Sequence, residues 1–183
     1  LDKKVNCALL CQNIKGFEVL SQKISSLFKK QPFDNIVELQ DFQGQENLIL
    51  IPDQSDLLEL DNLIPKALSE LKKIFGEDRL FLGIERYLND QTSYNQSIEV
   101  LEIGHRYNIP VVAANRVFFL KADDYESQQI KYCIQRSQYY DDQSRTIKHY
   151  PSQYLYDADQ MQSLFDDCPG ALENTIVIAK KCT

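Results

Sequence analysis

Four short apolar runs punctuate the chain, and each is followed by a segment whose apolar residues recur at helical spacing. The first run, residues 6–11, precedes Phe17, Leu20, Ile24, Leu27 and Phe28 on one helical face. The second, 47–52, precedes a helix lined by Leu63, Ile64, Ala67, Leu68, Leu71, Ile74 and Phe75. The third, 80–85, leads into a helix carrying Tyr94, Ile98 and Leu101, and the fourth, 110–115, into one around Tyr125 to Gln135. Serial strand-then-helix units predict parallel strands joined by right-handed helical crossovers. Runs without polar alternation suit strands buried on both faces. The expected class is therefore α/β, with about four parallel strands, too few to close a barrel. Residues 31–46, with Pro32, Gly44 and several Gln and Asn, read as an exposed connection.

From Ser137 to Tyr156 the pattern lapses into a polar, tyrosine-rich stretch, which predicts an extended arm packing through its aromatic rings. Asp157 with Gln160 three residues on forms a capping-box signature ahead of Met161, Leu164 and Phe165. Pro169 suits a first helical position, with Leu172, Thr175, Ile176 and Ala179 on one face behind it. The chain thus divides into a strand-and-helix part, 1–136, and an arm with two short helices, 137–183.

With 183 residues, 43% of them hydrophobic, the chain can bury a core. Its formal charge of −7 argues against a primary grip on a nucleic-acid backbone, which needs an excess of Lys and Arg. Cys7, Cys11, Cys133, Cys168 and Cys182 are odd in number and scattered, which reads as reduced thiols in a cytoplasmic protein. No run is long and apolar enough for a membrane span. The chain opens at Leu1 and its only methionine is Met161, so it reads as a segment of a longer parent.

The candidate chemistry is sparse. No glycine-rich phosphate loop, nucleophile elbow or paired-histidine helix occurs, and the two histidines, His105 and His149, stand far apart. Cys7 and Cys11 face one side of a strand without a second ligand pair, so they read as buried thiols rather than zinc ligands. Asp53 and Glu85 fall at strand ends, where barrels place catalytic groups, but read as a helix cap and ion-pair partners. Adjacent Asp141 and Asp142 point to opposite sides of an extended segment and are poorly arranged to share a metal.

Several ordered stretches carry a family likeness. They are Leu10-Cys11-Gln12-Asn13-Ile14-Lys15-Gly16-Phe17, Ile109-Pro110-Val111-Val112-Ala113-Ala114-Asn115-Arg116-Val117, Tyr140-Asp141-Asp142-Gln143-Ser144-Arg145 with Tyr154-Leu155-Tyr156, and Asp159 to Phe165 with Cys168-Pro169-Gly170-Ala171-Leu172-Glu173-Asn174-Thr175. Together they resemble the PHP region of bacterial replicative DNA polymerase alpha subunits. The resemblance implies a partial PHP-type βα barrel whose arm and helices lead toward the polymerase palm. It matches Asn115, Arg86, Asp141, Asp142, Arg145, Asn174 and Thr175 as structural positions. For Arg86, which matches an arginine following the corresponding strand, the expected role is an ion pair at the barrel rim with Glu85 or Asp53, with a phosphate contact as the alternative.

Where metal-binding PHP domains read Asn-Asp-x-His, this chain reads Asn115, Arg116, Val117 and Phe118. Arginine has no acceptor atom and a phenyl ring offers a metal nothing. At an effective dielectric near 20, a positive charge ~4 Å from a divalent ion costs roughly 8 kcal/mol. The resemblance, with these departures, implies a metal-free scaffold and docking region with no catalytic residue and no cofactor of its own. The parent would be a DNA-directed DNA polymerase that uses magnesium. The implied partners are the rest of the polymerase chain, a proofreading exonuclease subunit and, through the parent, the replisome and primer-template DNA. An active metal-dependent phosphoesterase or proofreading domain, and a freestanding protein-binding module, are the alternatives.

Overall fold

The computed structural model describes residues 4–30, 38–142 and 150–183. Its strands are β1 (Cys7–Cys11), β2 (Leu48–Pro52), β3 (Leu82–Ile84) and β4 (Val111–Ala113), each within a predicted apolar run. Between and after them come α1 (Ile14–Lys30), α2 (Gln54–Leu58), α3 (Ile64–Phe75), α4 (Gln91–Tyr107), α5 (Tyr125–Arg136), α6 (Ala158–Leu164) and α7 (Pro169–Lys181). The class is mixed α/β. Among the described residues no helix is long and apolar enough to cross a membrane.

The expectation of uniformly parallel strands fails at the first pair. β3 and β4 are parallel, but β1 runs antiparallel to β2, with Cys7 opposite Pro52 and Cys11 opposite Leu48. The second strand starts beside the end of the first, where Gln12 N donates to Asn47 O at 2.9 Å and holds the antiparallel register in place. Gly16 is required at this crossing, because a Cβ there would run into the Asn47 carbonyl.

Among the described residues the strands form two two-stranded sheets rather than a barrel wall, and a parallel bridge, Leu50 to Leu80, links them. Side chains alternate across this frame. Leu48, Leu50, Leu80, Leu82 and Ile84 enter the main core with Leu68, Leu71, Phe75 and Val100. Ile49, Phe81 and Val112 point into a smaller cluster closed by Ile178 of α7. Phe165 and Ala171, near the carboxyl end, also belong to the main core.

The face predicted for α3 is observed, with Ala67, Leu68, Leu71 and Phe75 buried. Two other helices depart from expectation. α4 buries Ser93, Ser97, Val100 and Gly104 and leaves Tyr94 exposed. It lies so close to β4 that a Cβ at Gly104 would stand 2.6 Å from Val111 Cγ2. α1 leaves Phe17, Ile24 and Phe28 exposed, while Leu20 of the same predicted face packs against the core. Phe42, inside the stretch expected to be an exposed connection, is buried against Phe75 with ring centroids 6.3 Å apart.

Candidate functional site at the strand ends

Three strand ends meet around one guanidinium. Asp53 follows β2, Glu85 follows β3 and Arg116 lies three residues past β4. Arg116 Nε sits 3.0 Å from Glu85 Oε1, and its Nη1 sits 3.4 Å from Asp53 Oδ2. Asp53 also caps α2, accepting from Ser55 N at 3.0 Å and Asp56 N at 3.4 Å. Both carboxylates therefore act as a cap and ion-pair partners, as the sequence reading holds.

Tyr87 completes the arrangement. Its hydroxyl donates to Glu85 Oε2 at 2.6 Å and accepts from Arg116 N at 2.9 Å. Burial raises the Glu85 carboxyl above its ordinary range, opposed by the Tyr87 hydrogen bond and the Arg116 charge. The Tyr87 hydroxyl is raised too, by burial first and then by its bond to Glu85. Burial works against the Arg116 charge, but the Glu85 and Asp53 carboxylates more than offset it. A cavity of about 270 Å³ opens beside this cluster, lined by Cys7, Asp53, Gly83, Glu85, Ala114 and Arg116 among others.

The neighbouring arginine behaves differently from expectation. Arg86 does not pair with Glu85 or Asp53; its side chain turns inward and is 2% exposed. Nε donates to Ser97 Oγ at 2.7 Å, Nη1 to Leu164 O at 2.9 Å and Nη2 to Asp167 Oδ2 at 3.2 Å. Adjacent residues leave an extended backbone on opposite sides. Glu85 faces the strand-end cluster, so Arg86 faces the helices.

Asn115 bridges the two environments through the Arg86 backbone, accepting from its N at 2.9 Å and donating to its O. Asn174 Nδ2 donates to Val111 O at 2.8 Å, and Thr175 Oγ1 bonds within its own helix to Leu172 O. Phe118 lies just beyond the cluster and is partly exposed. Asp141 and Asp142 are exposed in a turn, remote in role from the cluster, while Arg145 and His149 lie outside the described residues. His105 is exposed on α4. Cys7, expected to be buried, is exposed on the outer strand β1, and Cys133 is buried instead. The arm packs through Tyr154 and Tyr156, whose rings meet edge to face at 4.6 Å.

Tyr87 and Asp167 were missed in the sequence. Tyr87 lies two residues past Glu85, and Asp167 immediately precedes the Cys168-Pro169 helix start, but neither has a spacing signal toward its partner.

Chemically, the cluster is an α/β strand-end site in which carboxylates are satisfied by the chain's own cation. No family model matches the chain. It is 31% identical over 187 residues to the DNA polymerase III subunit alpha of Pseudomonas aeruginosa, which takes in 96% of this chain and 16% of that protein. The corresponding subunit of Haemophilus influenzae is 27% identical over 192 residues, covering 100% of this chain and 16% of the relative. That of Escherichia coli K12 is 36% identical over 106 residues, covering 57% and 9%. The chain thus spans 16% of the length of the relatives that match nearly all of it. Over nearly its whole length it is similar to one segment of the DNA polymerase III alpha subunit, the family these relatives share.

Proposed function

We propose that this segment is a non-catalytic, PHP-derived scaffold within a replicative DNA polymerase. The parent polypeptide carries out template-directed nucleotide addition in the cytoplasm, using magnesium held by residues outside this chain. The observation that carries the reading is the placement of the Arg116 guanidinium between Glu85 and Asp53. The residues at these strand ends do not fit a divalent metal. Their two carboxylates already share a cation, and that cation would repel a second one at close range. Arg116 does the neutralising that a metal would do, without a water to activate.

Metal analysis of the purified chain after incubation with zinc or manganese and gel filtration tests the reading, together with a phosphoesterase assay on a chromogenic phosphate ester. We expect neither stoichiometric metal nor turnover. Metal that is lost on Asp53→Asn or Glu85→Gln substitution would overturn it.

A scaffold needs something to hold. The proofreading exonuclease subunit is the partner we propose for the complete region, with primer-template DNA engaged by the rest of the parent. The acidic charge of this chain supports that division, since non-specific DNA affinity depends on several Lys or Arg contacts to phosphate. Fluorescence anisotropy should give weak binding of primed DNA by this chain at physiological salt. Co-purification of the exonuclease with the longer polypeptide should be retained when Arg116 is intact.

A further inference from the structure

We propose that Arg86 is a positioning residue that sets the helix pair α6–α7 on the strand ends, and that Asn115 and Asn174 share this task. The Arg86 backbone is gripped on both sides by the Asn115 carboxamide, so the side chain leaves the strand from a fixed origin. Its planar fork then reaches three separate places: Ser97 on α4, the carbonyl of Leu164 at the end of α6, and the Asp167 carboxylate in the turn before α7. Leu164 O belongs to the last turn of α6, where carbonyls lack helical partners, so Arg86 also serves as that helix's cap. The rings of Tyr94 and Phe165 lie 4.6 and 5.2 Å from the guanidinium carbon.

This geometry answers a question that apolar packing leaves open. Phe165, Ala171 and Ile178 hold the helix pair to the core, but hydrophobic contact is non-directional and tolerates sliding or rotation. A buried guanidinium does not tolerate displacement. Moving the α6–α7 turn by a few ångströms would strand a desolvated charge without its carboxylate, which is far costlier than losing a surface ion pair. Asn174, bonded to Val111 O, fixes the same helix pair at a second point along α7. Two polar anchors on separate strand segments therefore define one placement among several that the apolar surface would accept. Lysine could not substitute, since one ammonium cannot present a fork to ligands in three directions.

Hydrogen exchange measured by mass spectrometry on the 183-residue chain tests this, comparing the parent sequence with Asp167→Asn, Arg86→Lys and Arg86→Met. The expected result is exchange faster by on the order of tenfold to a hundredfold in residues 158–175, with β2 and α3 unchanged. Arg86→Lys should behave like Asp167→Asn rather than restore protection. Three results would overturn the proposal: parent-like exchange in 158–175 for every variant, complete rescue by lysine, or uniform acceleration across the chain in Asp167→Asn. Should Arg86→Met fail to fold, Asp167→Asn and Arg86→Lys decide between these results.

Discussion

Asn115 pairs with the backbone N–H and C=O of Arg86 as a strand neighbour would, its Oδ1 accepting from Arg86 N at 2.9 Å and its Nδ2 donating to Arg86 O. One side chain thereby extends the β3–β4 contact beyond the last backbone rung. Asn115→Asp keeps the shape but replaces the donor by a carboxylate oxygen facing a carbonyl. We expect it to lower the unfolding free energy by about 1–3 kcal/mol, read from urea denaturation. An unchanged midpoint would show that the pairing contributes nothing.

Arg116 should matter more at neutral than at acidic pH. Burial raises the Glu85 carboxyl above its ordinary value of 4.5, so the folded chain holds that proton more tightly than the unfolded one. The associated stability is fully present below the unfolded value and is lost as pH rises through the folded value. The Arg116 charge limits that loss. Arg116→Met should therefore be close to the parent near pH ~4 and weaker near pH ~7 by about 1–2 kcal/mol, a modest figure because half of the Arg116 side chain is solvated. Unfolding curves at the two pH values check this, and a deficit equal at both would remove the ion pairs as its cause.

The closeness of α4 to β4 predicts a contrast between two glycines. Gly104→Ala would press a methyl group against Val111 Cγ2 and Ile109 O, at 2.6 and 2.9 Å. We expect a loss of about 1–3 kcal/mol. Gly170→Ala, on α7 with nothing within 4 Å of the added carbon, should be neutral or stabilising by up to about 1 kcal/mol. Thermal melts of the two variants suffice. Similar shifts in both would mean that helix propensity, not close approach, governs Gly104.

The exposed stripe on α1 makes a different prediction. Phe17 and Phe28 are 58% and 55% exposed. Serine at both positions should change stability by no more than about 0.5 kcal/mol each while reducing binding of a hydrophobic fluorescent probe. A loss several times larger would mean that this face is covered in solution.

Much of the secondary structure was legible because it rests on local rules. The α3 face, the Asp157–Gln160 capping box and Pro169 at the start of α7 all follow from short-range pattern, and the structure contains each. Strand direction does not. The run at Cys7–Cys11 is equally compatible with either sense, and its antiparallel pairing with Leu48–Pro52 rests on contacts distant in sequence. The α4 face was misread because its buried residues are two serines, a valine and a glycine, chosen for close approach and for hydrogen bonding to Arg86 and Tyr87 rather than for bulk. At the site, Asp53 and Glu85 were recognisable as strand-end carboxylates. Which arginine they meet was not, since Arg86 and Arg116 both follow strand ends and nothing in their spacing separates them.

The packing of α7 has a consequence for how the chain acquires its structure during synthesis. Asn174 reaches Val111, Ile178 closes the cluster of Ile49, Phe81 and Val112, and Thr183 N donates to Gln12 O at 2.8 Å. α7 is thus the lid for one face of strands made long before it. While the ribosome is still adding residues 113–168, that face has no cover, and local helices can form but the smaller cluster cannot. Burial of that face therefore waits for α7. A stall or cut ahead of Pro169 would leave early-formed strands with an open apolar side, the condition in which a chaperone competes best with the native contact.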